Sequence, residues 1–344
     1  MNRWAVVLAG GVGSRFWPVS TPERPKQLLP LATDAALLSD ALHRSLALVP
    51  PERTLILTNS TLIDAIAALA PDIPRENLIA EPRPAGTAAA LTWAAHEVAR
   101  RGGRDAVMLS VHADWAVKDA EGFRAALSRA ADAAEKHGAL ITVGVVPSRP
   151  DPGFGYIQPG DVVEGDLRRV ARFVEKPDRA RAEVMMRDGF FWNSGIFVWR
   201  AGDFLDEVAA HTPEVAPHLA AHADDLQGFF GAVQNAISVD VGVLERSSRM
   251  MVLPGDFGWD DIGTWAALRR VRTLDADGNA LSGLVHSLAS TGNVVHTEHS
   301  AVVLYGVSNL VVVVKDGLVL VTTTEKADDL KTLVQSLPAS IRDR

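Results

Sequence analysis

With 344 residues, 47% of them hydrophobic and 22% charged, the chain can bury a large core and carry a smaller second domain, as a globular protein does. Its formal net charge of −8 gives no basic field for a polynucleotide, so nucleic acid is excluded as a partner, although a local cationic site can still hold a small anion. The absence of cysteine removes disulfides, thiolate metal sites and cysteine nucleophiles. The ten histidines show no zinc-type spacing, so any metal is expected on oxygen ligands. No run of about 18 apolar residues and no signal-peptide pattern is present, which predicts a cytoplasmic protein without a membrane partner.

The first predicted element is a strand over 4–9, whose apolar run with two valines suits burial on both faces. It runs into Leu8-Ala9-Gly10-Gly11-Val12-Gly13-Ser14-Arg15-Phe16-Trp17-Pro18, closed by Pro25-Lys26-Gln27. Gly10, Gly11 and Gly13 let the backbone turn and bring its N–H groups close to a ligand. Arg15 and Lys26 add a planar fork and a point charge suited to phosphate oxygens. The turn lacks the Gly-Lys-Ser/Thr of a Walker loop and the third glycine of the dinucleotide fingerprint. A bare Gly-Gly-x-Gly would only start a helix. Together with the two cations it reads as a grip for a nucleoside triphosphate, with Leu8, Ala9, Gly10, Gly11 and Gly13 against the nucleotide.

Further along, strands at 54–58, 78–80, 106–110 and 140–146 alternate with helical patterns at 37–48, 61–69, 87–100 and 122–137. This alternation predicts an α/β fold, a Rossmann-like, mostly parallel mixed sheet flanked by helices. In such sheets ligands lie beyond the carboxyl ends of the strands, where Gly10, Glu81 and His112-Ala113-Asp114 fall. Asp114 and Asp261, the latter in Gly258-Trp259-Asp260-Asp261-Ile262-Gly263, are carboxylates from separate loops of the kind a Mg²⁺ takes alongside phosphate and water. Either alone is more often an ordinary loop or helix-cap residue. Asp260 is an obvious decoy. After Arg270 the texture becomes short β-rich pieces over 284–321, closed by a helix around 327–337. A small β domain at 271–344 is expected after a domain at 1–270.

The stretch 8–27 resembles the signature of the sugar-1-phosphate nucleotidylyltransferases, and five or six boxes between Trp4 and Trp265 extend the likeness. The resemblance implies a nucleotidyltransferase catalytic domain of GT-A-like fold over 1–270 and a C-terminal, β-helix-like region that packs on it or on a second subunit, hence a homodimer. It implies guanylyl transfer from GTP to α-D-mannose 1-phosphate, giving GDP-mannose and pyrophosphate. Asp114 and Asp261 would hold Mg²⁺ or another divalent cation, with Arg15 and Lys26 catalytic on the triphosphate. In Phe173-Val174-Glu175-Lys176-Pro177 it gives Lys176 the sugar phosphate and Glu175 the sugar hydroxyls. It adds Asn193, from Trp192-Asn193-Ser194-Gly195, and Gly155, where a sugar passes close to the main chain. Glu81 and Thr87 fall to the nucleotide, Glu81 as acceptor for the two adjacent donors of guanine, although a solvent-facing glutamate is an equal alternative. Two departures stand out: Ala85-Gly86-Thr87-Ala88 where Arg-Asn-Thr-Ala is usual, and Asp114-Trp115 where Asp-His is usual. They leave open another hexose 1-phosphate, another nucleotide, or a silent sugar-nucleotide sensor. The short stretch after Arg270 has no room for the isomerase domain of longer relatives, so a single activity is expected.

Overall fold

The computed structural model describes residues 2–11 and 14–342. In chain order its elements are β1 (Arg3–Leu8), α1 (Leu37–Leu46), β2 (Thr54–Asn59), α2 (Ile63–Leu69), β3 (Leu78–Glu81), α3 (Gly86–Gly102), β4 (Val107–His112), β5 (Ala116–Val117) and α4 (Ala120–His137). There follow β6 (Leu140–Val145), β7 (Tyr156–Glu164), β8 (Leu167–Val174), α5 (Arg179–Arg187), β9 (Phe191–Arg200), α6 (Ala201–His211), α7 (Ala216–Ala221), α8 (Leu226–Ala232), β10 (Met250–Gly255) and β11 (Trp259–Asp260). The chain ends in α9 (Leu268–Val271), β12 (Ala280–Ser282), β13 (Val285–Leu288), β14 (Val294–Thr297), β15 (Val302–Tyr305), β16 (Leu310–Lys315), β17 (Leu318–Thr323), α10 (Leu330–Ser336) and α11 (Ala339–Arg342). Among the described residues no helix is long and apolar enough to cross a membrane.

Packing divides the chain into two compact units, each assembled from separated segments. The first comprises Met1–Gly10, Ala41–His112 and Asp119–Trp259. Its nine-stranded sheet has the order β3-β2-β1-β4-β9-β6-β10-β8-β7. β1 pairs in parallel with β2 and β4, β2 with β3, and β6 with β10, whereas β8 and β9 run against their neighbours. The α/β, mostly parallel mixed sheet expected from the alternation is therefore present. In β1 every residue from Trp4 to Leu8 is buried, as a strand covered on both faces requires. α3 is buried nearly all round through Ala88, Ala89, Leu91, Trp93, Ala94 and Ala95, its small side chains letting Trp93 lie 5.3 Å from the Phe229 ring.

By local propensity alone, Asn193-Ser194-Gly195 are turn formers. They lie instead inside the ten-residue β9, where Trp192, Ser194 and Ile196 are buried and Phe191, Asn193 and Gly195 only half-buried. The period of two outweighs the local propensity.

The second unit is Gly11–Asp40, Ala113–Lys118 and Asp260–Arg344. β12, β14 and β16 form a parallel ladder to which β17 adds antiparallel, and β13 and β15 make a second parallel pair. Turns of this coil are tied by buried amides. Asn279 Oδ1 accepts from the Asn293 N–H at 2.8 Å, and Asn293 Oδ1 accepts from the Leu310 N–H at 2.9 Å. The unit's core joins Val294, Val311, Val313, Leu320 and Leu330 to Phe16, Trp17, Leu29 and Leu31 of the loop after β1, and to Ile262, Trp265 and Leu268. The C-terminal strands are thus the apolar support of the segments that carry Arg15, Lys26 and Asp261.

Candidate functional site

The candidate residues form three groups beyond the turn that follows β1, each group within one unit. The chain leaves β1 with Ala9 still tied to the sheet, its N–H on the Leu57 carbonyl and its carbonyl accepting from the Thr58 hydroxyl at 3.1 Å. Gly10 and Gly11 follow, and among the described residues a Cβ on either would meet nothing within 4 Å. Gly11 is required by its φ of +101°. Gln27 donates from Nε2 to the Gly11 carbonyl at 3.2 Å and closes the loop. Leu8 is the buried last residue of β1, and Gly13 lies outside the described residues.

Within the second unit, Lys26 is the organising residue. It is only 7% exposed, and its ammonium donates to Asp114 Oδ2 at 3.0 Å and to the main-chain carbonyl of Asp261. A buried ammonium needs such partners, and a Lys has three donors to distribute. Two aspartate-bearing loops far apart in sequence are so fastened to one cation. Arg15, on a single 3₁₀ turn (Ser14–Phe16), reaches the same place: a Cβ on Gly263 would lie 3.4 Å from its guanidinium and 3.0 Å from Asp261 Oδ2. Asp260 is the decoy the sequence suggests. Arg270 holds both its carboxylate oxygens, and Oδ1 also accepts the Ile262 N–H at 2.9 Å. Ile262 itself has φ +45°, a costly conformation for a β-branched residue, which turns the chain just after Asp261.

The second group lies in the first unit at the end of β8. Glu175 and Lys176 follow Val174, Lys176 with φ +44° and an exposed ammonium that donates to Glu175 Oε1 at 2.7 Å. The Gly155 carbonyl, just before β7, accepts the Asn193 N–H at 2.8 Å. A Cβ there would sit 2.8 Å from both Glu175 Oε2 and the Phe173 ring and 3.4 Å from Asn193 Cβ, so Glu175, Phe173 and Asn193 pack directly against the Gly155 backbone. The Asn193 amide is oriented on both sides: Oδ1 accepts from the Thr142 hydroxyl at 3.3 Å and Nδ2 donates to Asp240 Oδ1 at 2.7 Å. Asp240 opens a short π-helical segment (Asp240–Leu244), and its carboxyl is pushed up to about 6 by burial first and the Glu175 charge second. In the sequence analysis Asp240 has no role. An aspartate opening a valine- and glycine-rich segment was the available signal.

The third group, also in the first unit, is at the end of β3. Glu81 is half-buried, and desolvation raises its carboxyl to about 7. Thr87, in the first turn of α3, accepts the Val239 N–H at 2.9 Å. Gly86 explains one departure from the usual box. Its φ is +84°, and a Cβ would fall 2.3 Å from the Ile237 carbonyl oxygen, so this backbone has no room for asparagine. Trp115, the other departure, is buried.

The nucleotidyl transferase family profile matches residues 4–278. A mannose-1-phosphate guanylyltransferase from Escherichia coli strain K12 is 34% identical over 98% of this chain and 74% of its own length. The alginate biosynthesis protein AlgA of Pseudomonas aeruginosa is 34% identical over 98% of this chain and 72% of its own. The crystal structure of a protein described as a mannose-1-phosphate geranyltransferase from Thermus thermophilus superposes with a TM-score of 0.90 at 35% identity, covering 97% of this chain and 99% of that one. The chain belongs to the nucleotidyl transferase family.

Proposed function

We propose that the protein transfers a guanylyl group from GTP to α-D-mannose 1-phosphate, giving GDP-mannose and pyrophosphate. The observation that carries this reading is Lys26, one buried ammonium holding Asp114 and the main chain of Asp261 beside Arg15. Such a cluster of fixed charges suits a triphosphate, and the curated relatives act in name on mannose 1-phosphate with a guanylyl donor. The Thermus protein's name specifies a geranyl donor instead; the glycine-rich turn with its two cations favours a nucleotide.

A phosphate oxygen of mannose 1-phosphate attacks the α-phosphorus of GTP in line. The new P–O bond forms as the bond to the bridging oxygen of the β-phosphate breaks, and pyrophosphate leaves. Because the sugar phosphate is already ionised at neutral pH, no general base is needed, and the protein's work is alignment and charge neutralisation. Leu8, Ala9, Gly10, Gly11 and Gly13 present backbone to the nucleotide, and Arg15 and Lys26 stabilise charge on the triphosphate and the departing pyrophosphate. Glu81 accepts from guanine, and Thr87 supports the nucleotide side through its hold on Val239. Lys176 takes the sugar phosphate, while Glu175, Asn193 and the open backbone at Gly155 take the sugar.

The donor chemistry at Asp114 and Asp261 fits Mg²⁺. Both are hard carboxylates, and Mg²⁺ binds through one or two of these plus phosphate and water rather than in an all-protein cage. Among the described residues no group of three or more metal-binding side chains converges, and a cation shared with phosphate needs none. A bound divalent cation would neutralise phosphate charge.

The functional division we propose is 1–270 for the chemistry and 271–344 for support. We further propose a cytoplasmic homodimer formed near the C-terminal strands, where Leu288, Val303 and Tyr305 are exposed on the paired β13 and β15. Light scattering should give twice the chain mass for the native protein and a monomer for Tyr305→Lys; a native monomer contradicts the dimer. For the reaction itself, Asp114→Asn should abolish pyrophosphate release while leaving the melting temperature within a few degrees, and retained turnover would remove Asp114 from the site.

A further inference from the structure

Asp240 is left over from the roles above, yet it is bonded to one of the sugar residues. Its Oδ1 accepts the Asn193 amide at 2.7 Å, and Asn193 and Glu175 both pack against Gly155. A carboxylate has about four acceptor positions, and here the Asn193 amide and the residue's own main-chain N–H take only part of them. Two carboxylates, Glu175 and Asp240, thus stand close enough to repel, with a single ammonium, Lys176, tied to Glu175. Crowded, desolvated carboxylates are unfavourable unless donors are brought to them. A sugar brings such donors, because adjacent hydroxyls can each give a proton to one carboxylate.

We propose that Asp240 contacts the substrate directly, its carboxylate accepting a hydrogen bond from one hydroxyl of the hexose 1-phosphate while holding the Asn193 amide in position. The inference rests on the sugar-phosphate reading of Glu175, Lys176 and Asn193, and it names the residue that adds discrimination among hexoses. The π-helical turn at Asp240–Leu244 serves this end. The wider turn is anchored by the Thr212 hydroxyl donating to the Gly242 carbonyl at 2.8 Å and by the Gly242 N–H on Ser238, which fixes Asp240 at the start of the segment. Glu175 and Lys176 are the charged groups that act on it, both from the end of β8.

The test is a cycle between protein and substrate. Pyrophosphate release from GTP is measured for the native protein and for Asp240→Asn, with mannose 1-phosphate and its 2-, 3-, 4- and 6-deoxy analogues. Asp240→Asn keeps an acceptor for Asn193 but can turn an N–H toward the sugar, and GTP affinity serves as the folding control. One deoxy analogue should cost the native protein about 10- to 100-fold in kcat/KM, the scale of a hydrogen bond to a charged group. The variant should lose a similar factor on the full sugar, mostly in KM, and lose nothing more on that analogue. Equal penalties for every analogue in both proteins would overturn the assignment and leave Asp240 a purely structural partner of Asn193. Should Asp240→Asn fail to bind GTP, Asp240→Glu carries the same comparison with the charge kept. A native protein inactive with every hexose 1-phosphate overturns instead the reading on which the inference rests.

Discussion

Lys26 is structural by its contacts and, in the proposed reaction, also catalytic. Its ammonium is nearly inaccessible and fastens Asp114 to the Asp261 loop, so Lys26→Met should remove the cation that holds the Asp114 carboxylate. The expected result is a loss of at least about 10²-fold in kcat, the scale of removing one electrostatic stabiliser. Lys176→Ala should act differently, raising the KM for the sugar phosphate with little change in kcat, because its ammonium is exposed and tied to its neighbour Glu175. An unchanged KM would remove Lys176 from that role. Glu81 gives a pH dependence. Its carboxyl is raised to about 7 by burial, and accepting from guanine requires the ionised form. Affinity for GDP-mannose, whose phosphates do not titrate in this range, should be about tenfold weaker at pH 6 than at pH 8. Glu81→Gln should bind more weakly but without that slope. In the free protein the folded value lies above the unfolded one, so the carboxyl costs nothing below the unfolded value, costs stability increasingly as pH rises from there toward 7, and costs a constant amount above it. Glu81→Gln should therefore melt higher than the native protein at pH 8. Arg15 and Lys26 stand out in the sequence through the glycine-rich loop they flank, and Asp114 and Asp261 through the family resemblance. That Lys26 would clasp Asp114 was not legible there, since 88 residues separate them and only the fold brings them together.

At the scale of elements, apolar periodicity located β1, β2, β3, β4 and β6 and the helices between them within a few residues. It did not single out the parallel β10, nor β9, where an Asn-Ser-Gly run masks a strand, and it left the antiparallel course of β8 and β9 open, because pairing direction leaves no mark on a single strand. Gly86 was noticed as a departure, but its reason is spatial. Gly86→Ala should destabilise by a few kcal/mol, since its Cβ would collide with the Ile237 carbonyl at a φ of +84°. A variant as stable as the native protein would show that the 237–239 segment yields freely. In the C-terminal coil, Asn293→Ala would strip the Leu310 N–H of its acceptor and the Asn279 side-chain oxygen of a donor, both in the interior. A loss of about 2–4 kcal/mol is expected in denaturant unfolding.

For the whole molecule, the chain order and the packing order differ. The C-terminal strands share a core with Phe16, Trp17, Leu29 and Leu31 of the loop after β1 and with Ile262 and Trp265 beside Asp261. Composition alone predicted a small β domain after Arg270, but could not show that it underlies the loop at the other end of the chain, because that contact is made only on folding. Removing 271–344 should therefore abolish turnover as well as any dimer, and a shortened chain that still releases pyrophosphate would contradict the supporting role. The most direct test of the whole account is pyrophosphate release with Mg²⁺, pairing GTP, ATP, UTP, CTP and dTTP with mannose, glucose, galactose and fucose 1-phosphates, with Asp114→Asn as control. The account predicts release confined to GTP with mannose 1-phosphate and absent in the variant. Release with a different pair, or binding of GDP-mannose without release from any pair, would contradict it.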